Sequence, residues 1–265
     1  MNGPKFPIAL TLAGSDCSGG AGLQADLKTF AALGVYGSSV VTALTAQNTT
    51  GVFGIHAVPT EFIRAQADAV FDDLDVGAIK VGMLGNAETI DTVVSILEAH
   101  PWIPVVVDPV MVTAGGDSLL ASDAIAALRE RLLPLALLLT PNIHEAGLLL
   151  GEPAAESVER MKDQAKRLLE LGAAGVLLKG GRRPGTTVAA DVLCLQGSTE
   201  VLESPRIDVA QPQGTGCTLS SAVAARLAAG APLREAVIAG KRYVVEALER
   251  ALKHRVGRGA RPLIH

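Results

Sequence analysis

The chain has 265 residues, 49% of them hydrophobic and 19% charged, with a formal net charge of -4. Those values suit a globular α/β protein of one large domain, or at most two, whose core needs neither disulfides nor a structural metal. The mild acidity leaves no electrostatic footprint for nucleic acid, and no stretch approaches the roughly 20 apolar residues of a membrane span. Three widely spaced cysteines, Cys17, Cys194 and Cys217, form neither a disulfide framework nor a CxxC metal site. They fit a reducing, cytoplasmic compartment.

In chain order, short apolar runs alternate with amphipathic stretches. Residues 8–13 are too few for the core of a signal peptide and read as a first strand. A helix is expected over 21–33. Residues 35–58 hold two strand-like runs with no helix between them, including 39–44, and suggest a small lid or an edge hairpin. Helix 60–71, strand 78–81, helix 87–99, strand 104–107, helix 122–132 and strand 135–139 follow. In helix 158–171, Met161, Ala165, Leu168 and Leu169 make one apolar stripe. Strand 176–178 comes next, then short antiparallel pieces at 188–195 and 200–202. Helices over 218–229 and 233–254 close the chain, with Gly230 ending the first and Pro232 opening the second. The alternation implies right-handed crossovers and a mainly parallel sheet covered on both faces. No repeat or linker divides residues 1–265, so a single domain is expected.

Polar residues and glycines gather just after the strand ends, where open α/β sheets place their ligands. The first such loop runs from Gly14 to Gly22 and contains Ala21. It is neither a Walker A loop nor a clean GxGxxG, and reads as a flexible turn or as a close approach to a ligand. Gln47, after the second strand, either stabilises a turn or pairs with the edge of a heteroaromatic ring. Met83 is a core thioether or one laid against a flat ring. Asp108, followed by Val110, begins a loop or acts on Mg²⁺ and its waters. Asn142 and Glu145 have the spacing of a capping box, and alternatively orient metal-bound water. Lys179, with Arg182 and Arg183 close behind, is a strand-end lysine or a phosphate contact.

Gly214-Thr215-Gly216-Cys217-Thr218 then leads into a run rich in Ala and Leu. Unpaired N–H groups at a helix start, together with the dipole, make an anion site. Cys217 at that first turn is expected to have a lowered thiol pKa. The other reading is a glycine turn with Cys217 as a small buried hydrophobe.

Taken together, AGSDCSGGAGLQADLKT (13–29), TAQNT (45–49), KVGML (80–84), VDPVM (107–111), TPNIHEA (140–146), LLKGG (177–181) and GTGCTLSSA (214–222) form an ordered set. The set resembles bacterial hydroxymethylpyrimidine/phosphomethylpyrimidine kinases of the ribokinase superfamily, over nearly the whole chain. The resemblance implies a ribokinase-like three-layer α/β/α fold with a mainly parallel sheet, and a homodimer. It implies ATP-dependent phosphorylation of 4-amino-5-hydroxymethyl-2-methylpyrimidine, then of its monophosphate, in thiamine biosynthesis. It implies a pyrimidine pocket of Gly14, Ala21, Gln47, Met83, Val110 and Cys217. Lys179, Thr215 and Gly216 would contact ATP, and the amides from Gly214 to Cys217 would form the anion hole beside Cys217. Asp108, Asn142 and Glu145 would manage Mg²⁺. The chain departs from the family at Gln211-Pro212-Gln213, where Asn-Thr-His is usual, and at Cys17, where Pro or Ser is usual. Many superfamily relatives carry Asp in place of Cys217, which favours the pyrimidine/pyridoxine branch over sugar kinases. The rival readings are a pyridoxine or pyridoxal kinase, and a non-catalytic pyrimidine-binding regulator on the same scaffold. A dinucleotide-dependent oxidoreductase lacks its glycine fingerprint.

Overall fold

The alternation of apolar runs resolves into alternating strands and helices. The computed structural model describes residues 5–111, 124–181 and 187–265. The first half consists of β1 (Ile8–Asp16), α1 (Gly22–Ala32), β2 (Tyr36–Asn48), β3 (Gly51–Ala57), α2 (Thr60–Phe71), β4 (Ala78–Val81), α3 (Ala87–Glu98) and β5 (Val105–Val107). α4 (Ala124–Ala127) runs on through a π-helical turn, Leu128–Leu132, and a 3₁₀ turn, Leu133–Leu135. β6 (Leu138–Leu139), α5 (Ile143–Leu150), α6 (Val158–Leu169), β7 (Gly175–Lys179), β8 (Val188–Leu195), β9 (Ser198–Pro205) and β10 (Pro212–Gln213) come next. α7 (Thr215–Ala228), α8 (Leu233–Lys253) and β11 (Arg261–Pro262) complete the chain.

Nine strands form one sheet in the order β3-β2-β1-β4-β5-β6-β7-β8-β9. The pairs from β2 through β7 are parallel, and β3, β8 and β9 add antiparallel edges. Side chains alternate across the pleat and sort the core into two layers. In β4, Ile79 and Val81 join a cluster with Ile63, Ile90, Ala146 and Met161, from α2, α3, α5 and α6. Ala78 faces the opposite way, into a cluster with Phe30, Val223 and Val244, from α1, α7 and α8. Helices therefore cover both faces of a mostly parallel sheet, as the alternation predicts. The chain leaves β1 for β2 on one side, while β4 lies on the other. That topological switch is where such sheets open a ligand crevice.

The differences from expectation have local causes. Residues 35–58 form the β2–β3 hairpin, an antiparallel edge. The expected strand at 135–139 shrinks to Leu138–Leu139, because Pro134 opens the preceding 3₁₀ turn. Of the expected helix 122–132, residues 122 and 123 lie outside the described residues. α7 starts at Thr215, three residues before the expected 218, because Gly214 at φ 79° turns the chain within one residue. α5 is a helix that apolar periodicity did not single out, and its Asn142–Glu145 cap was its sequence signal.

Leu139 of the two-residue β6 is fully buried among residues of both neighbouring strands and the α5–α6 layer. Leu139→Ala is expected to cost about 2–5 kcal/mol, as buried leucine truncations do. The check is a lowered urea midpoint with an unchanged m-value.

Candidate active site

Backbone approaches without room for side chains build the site at the carboxyl ends of β1, β4, β5, β6 and β7. The Asp16 carboxylate gathers the glycine loop after β1, accepting from Ser18 N at 2.8 Å, Gly20 N at 3.0 Å and Ala21 N at 2.8 Å. Within that loop a Cβ on Gly22 would collide with the carbonyl oxygen of Gly14, and across the crevice one on Gly214 would collide with that of Gly20. The loop after β1 and the start of α7 therefore touch backbone to backbone. Gln213 bridges them, its Nε2 donating to Asp16 Oδ2 at 3.2 Å. Because a carboxylate only accepts, this bond fixes the amide orientation and leaves Gln213 Oε1 buried without a partner.

The first intrahelical bond of α7 runs from Thr218 N to Gly214 O at 2.8 Å. Helix geometry leaves the amides of Thr215, Gly216 and Cys217 without intrahelical acceptors, and the dipole adds to their positive end. The loop expected to form an anion hole is thus the helix's own first turn. A Cβ on Gly216 would lie 3.0 Å from Lys179 Nζ and 3.2 Å from Asp108 Oδ2. Lys179 and Asp108 accordingly stand at the mouth of α7.

Lys179 is not an exposed strand-end lysine. Its Nζ binds Asp108 Oδ1 at 2.8 Å, with both side chains largely buried. Asp108 also accepts from Thr140 Oγ1 at 3.2 Å. Burial pulls the Lys179 ammonium down, but Asp108 and Glu145 more than offset this and hold it above its ordinary value. Burial pushes Glu145 up to about 7; Lys179 opposes that rise and Asp108 adds to it. The capping box is present: Asn142 Oδ1 accepts from His144 N and Glu145 N at 2.9 Å, and Glu145 Oε2 accepts from Asn142 N at 2.7 Å. Asn142 keeps its Nδ2 hydrogens as donors, and Glu145 keeps its second oxygen. Lys179 N also donates to Pro141 O, tying this cap to the end of β7.

Cys217 departs from expectation. Desolvation raises its thiol to about 11, with Asp26 and Asp108 adding to the rise and Lys80 and the Gly22 amide opposing it. Dipole reasoning alone had put the shift in the other direction; burial outweighs it.

Among the other expected pocket residues, Gly14 lies against Met83: a Cβ there would be 3.1 Å from the thioether sulfur. The Met83 carbonyl accepts from Thr42 Oγ1 at 2.7 Å. Gln47 joins through its backbone, accepting from Cys17 Sγ at 3.2 Å, so Cys17 ties the glycine loop to the hairpin. Ala21 N is fixed by Asp16, and Val110 N by the Asp108 carbonyl at 2.8 Å. Arg182 and Arg183 lie outside the described residues. Two features escaped sequence reasoning: Asp16 as the organiser of the glycine loop, and a fully buried ion pair, Lys80–Asp26, at 2.8 Å. Their sequence signal was a charged residue inside an otherwise apolar strand or helix face.

The profile of the phosphomethylpyrimidine kinase family matches residues 16–263. A hydroxymethylpyrimidine/phosphomethylpyrimidine kinase of Rhizobium meliloti (strain 1021) is 51% identical over 259 residues, 97% of this chain and 96% of that protein. The thiamine biosynthesis bifunctional protein ThiED of Geobacter sulfurreducens is 51% identical over 257 residues, 97% of this chain but 51% of that protein. The structure superposes on an ADP complex of Bacillus subtilis pyridoxal kinase with a TM-score of 0.91, at 38% identity over 98% of each chain. On these relationships the chain belongs to the phosphomethylpyrimidine kinase family of phosphotransferases.

Proposed function

We propose that this chain transfers the γ-phosphoryl group of ATP to the hydroxymethyl oxygen of 4-amino-5-hydroxymethyl-2-methylpyrimidine, and then phosphorylates the monophosphate to the diphosphate, in thiamine biosynthesis. The observation that carries this reading is the convergence of three bare amides of α7 with Lys179 and Asp108. Phosphoryl transfer passes through a loose transition state, so positioning and charge do most of the work. The amides of Thr215, Gly216 and Cys217, with Lys179, would hold the migrating group. Gly14, Ala21, Gln47, Met83 and Val110 would hold the ring and Cys217 its reacting oxygen. In the first reaction Cys217 would accept or orient the hydroxyl proton; in the second the attacking phosphate oxygen is already ionised.

Mg²⁺ fits the donor set. No group of three or more His, Cys, Asp or Glu among the described residues forms a metal cluster, but Mg²⁺ takes one or two carboxylates and keeps waters and substrate phosphates. Asp108 and Glu145 are buried hard oxygen donors of that kind, with the Asn142 amide beside them to orient water. When bound, the ion neutralises charge developing on the phosphates.

A second reading, pyridoxine or pyridoxal as an additional substrate, is favoured by the likeness to Bacillus subtilis pyridoxal kinase. We take residues 1–265 as one catalytic unit. The edge strand β3 leaves Phe53 70% and Ile55 48% exposed, an apolar surface suited to a second copy in a homodimer. Three free cysteines suit the cytoplasm. No helix among the described residues is long and apolar enough to cross a membrane.

A coupled ATP assay with the alcohol, its monophosphate and pyridoxine tests the assignment; turnover of neither pyrimidine would sink it. In the same assay Cys217→Ala should slow the alcohol roughly 10²–10⁴-fold, the usual span for a lost proton acceptor, and the monophosphate far less. Equal losses would reduce Cys217 to a shape-filling role. Gly214→Ala, which meets both a positive φ and the Gly20 carbonyl, should lower kcat for both pyrimidines by about 10²–10³, as loss of an anion-hole donor does. Its circular dichroism should stay native. Glu145→Gln can still accept from Asn142 N and keep the cap, so the expected change is a raised Mg²⁺ requirement. An unaltered Mg²⁺ titration would leave Glu145 with capping alone.

A further inference from the structure

The backbone at the exit of β7 is held from both sides. Lys179 N donates to Pro141 O at 2.8 Å. The next amide, Gly180 N, donates to Asp191 Oδ1 of β8 at 3.0 Å. Lys179 and Asp191 stand directly opposite each other in the β7–β8 ladder, so their side chains share one face of the sheet. On that face Lys179 reaches Asp108 and the mouth of α7. Asp191 reaches α8, where its Oδ2 accepts from Lys241 Nζ. The same ammonium donates to Ala189 O at 3.3 Å. Asp191 and Lys241 are both buried.

Gly180 has no room for a side chain. A Cβ there would lie 2.1 Å from the Ala190 carbonyl oxygen and 3.0 Å from Met161 Cε. The chain therefore lies against β8 at this point, and the Asp191 carboxylate takes the Gly180 amide where β7 ends. Gly181 then turns at φ 54°. A buried pair such as Asp191–Lys241 is weak as a source of stability, because desolvating both charges offsets their attraction. A carboxylate nevertheless binds a backbone N–H more strongly than a neutral acceptor does, and this one fixes the peptide that joins Lys179 to Gly180.

We propose that Asp191, held in place by Lys241, is a positioning residue for the phosphate grip: by fixing the Lys179–Gly180 peptide, it sets the direction in which Lys179 leaves the sheet toward Asp108 and Gly216. Asp191 and Lys241 act through Lys179, and their role rests on the phosphate contact proposed above for that lysine. The same grip serves both phosphorylations. Disturbing it should therefore slow the alcohol and the monophosphate alike, unlike loss of Cys217.

The test measures calorimetric binding of the β,γ-methylene analogue of ATP without any pyrimidine present, beside kinetics on both pyrimidines. Asp191→Leu/Lys241→Met removes the acceptor and leaves neither charge of the pair buried alone. Asp191→Asn/Lys241→Met also removes both charges but keeps an amide oxygen for Gly180 N. The first double variant should bind the analogue about tenfold or more weakly, as loss of a hydrogen bond to a charged group does. Its kcat/KM for ATP should fall about 10²-fold with either pyrimidine, the scale of a misplacement of roughly 1 Å. KM for the pyrimidines should stay within about twofold. The second double variant should stay within about threefold of the parent in binding and turnover. Equal losses in the two double variants, or binding by the first within about twofold of the parent, overturn the proposal. Should the first fail to fold, Asp191→Glu decides: it keeps a carboxylate for Lys241 but moves the acceptor by one methylene. It should weaken binding about threefold or more with near-native melting; unchanged binding overturns the proposal. If the parent does not bind the analogue, the kinase reading falls and this positioning role with it. If the parent binds it but turns over neither pyrimidine, only the ring assignment falls, and the binding comparison still decides.

Discussion

The site depends on two strips of backbone approaching each other more closely than any side chain would allow. Gly214 lies against the carbonyl of Gly20, and Gly22 against that of Gly14. Gly214 also occupies the left-handed region, at φ 79°, which costs other residues free energy and glycine little. The Gly214 contact and turn set where α7 begins. Since the first-turn amides of a helix point out along its axis, fixing the start of α7 aims three unpaired donors at one small volume. Asp16 completes the arrangement by taking the loop amides and the Gln213 side chain onto one carboxylate.

Charge is layered around that volume. At the mouth, Lys179 is held by Asp108 and felt by Glu145; deeper, Lys80 is held by Asp26. Each cation in the free protein has a carboxylate partner, as burial requires. The two pairs differ in what an arriving anion can do to them. The outer pair adjoins Gly216 and the first-turn amides of α7, at the open mouth of the helix. The inner pair is closed off from solvent by Thr11, Ser221 and the Gly82 backbone.

Much of this was legible in the residues. Strand 78–81, strand 188–195 and helix 60–71 were readable to the residue because each is a mostly apolar run or stripe with clear ends. The Asn142–Glu145 cap was readable because its spacing is local. What failed was whatever depends on distant partners. Lys80 and Asp26 are 54 positions apart, so nothing local announces that they pair. The direction of the Cys217 shift was misjudged for a related reason: the helix start is visible in the sequence, whereas the burial that outweighs it comes from packing between distant segments. The gathering of the glycine loop by Asp16 belongs to the same class.

Distant parts of the site are joined at Gln211-Pro212-Gln213. Gln211 is the one non-glycine residue at positive φ among the described residues, at 45°, a conformation that costs L-residues free energy unless the surroundings impose it. The surroundings are identifiable. Arg261 N donates to Gln211 O at 3.0 Å as β10 pairs with β11. One residue earlier in that tail, Ala260 N donates to Thr49 O at 2.6 Å, in the β2–β3 turn, and Gly259 N to Thr49 Oγ1 at 3.2 Å. The tail therefore clasps the hairpin with one residue and the approach to α7 with the next. Gln213 is in turn fixed to Asp16, so a chain of hydrogen bonds through the tail joins the hairpin that carries Gln47 to the residue preceding Gly214.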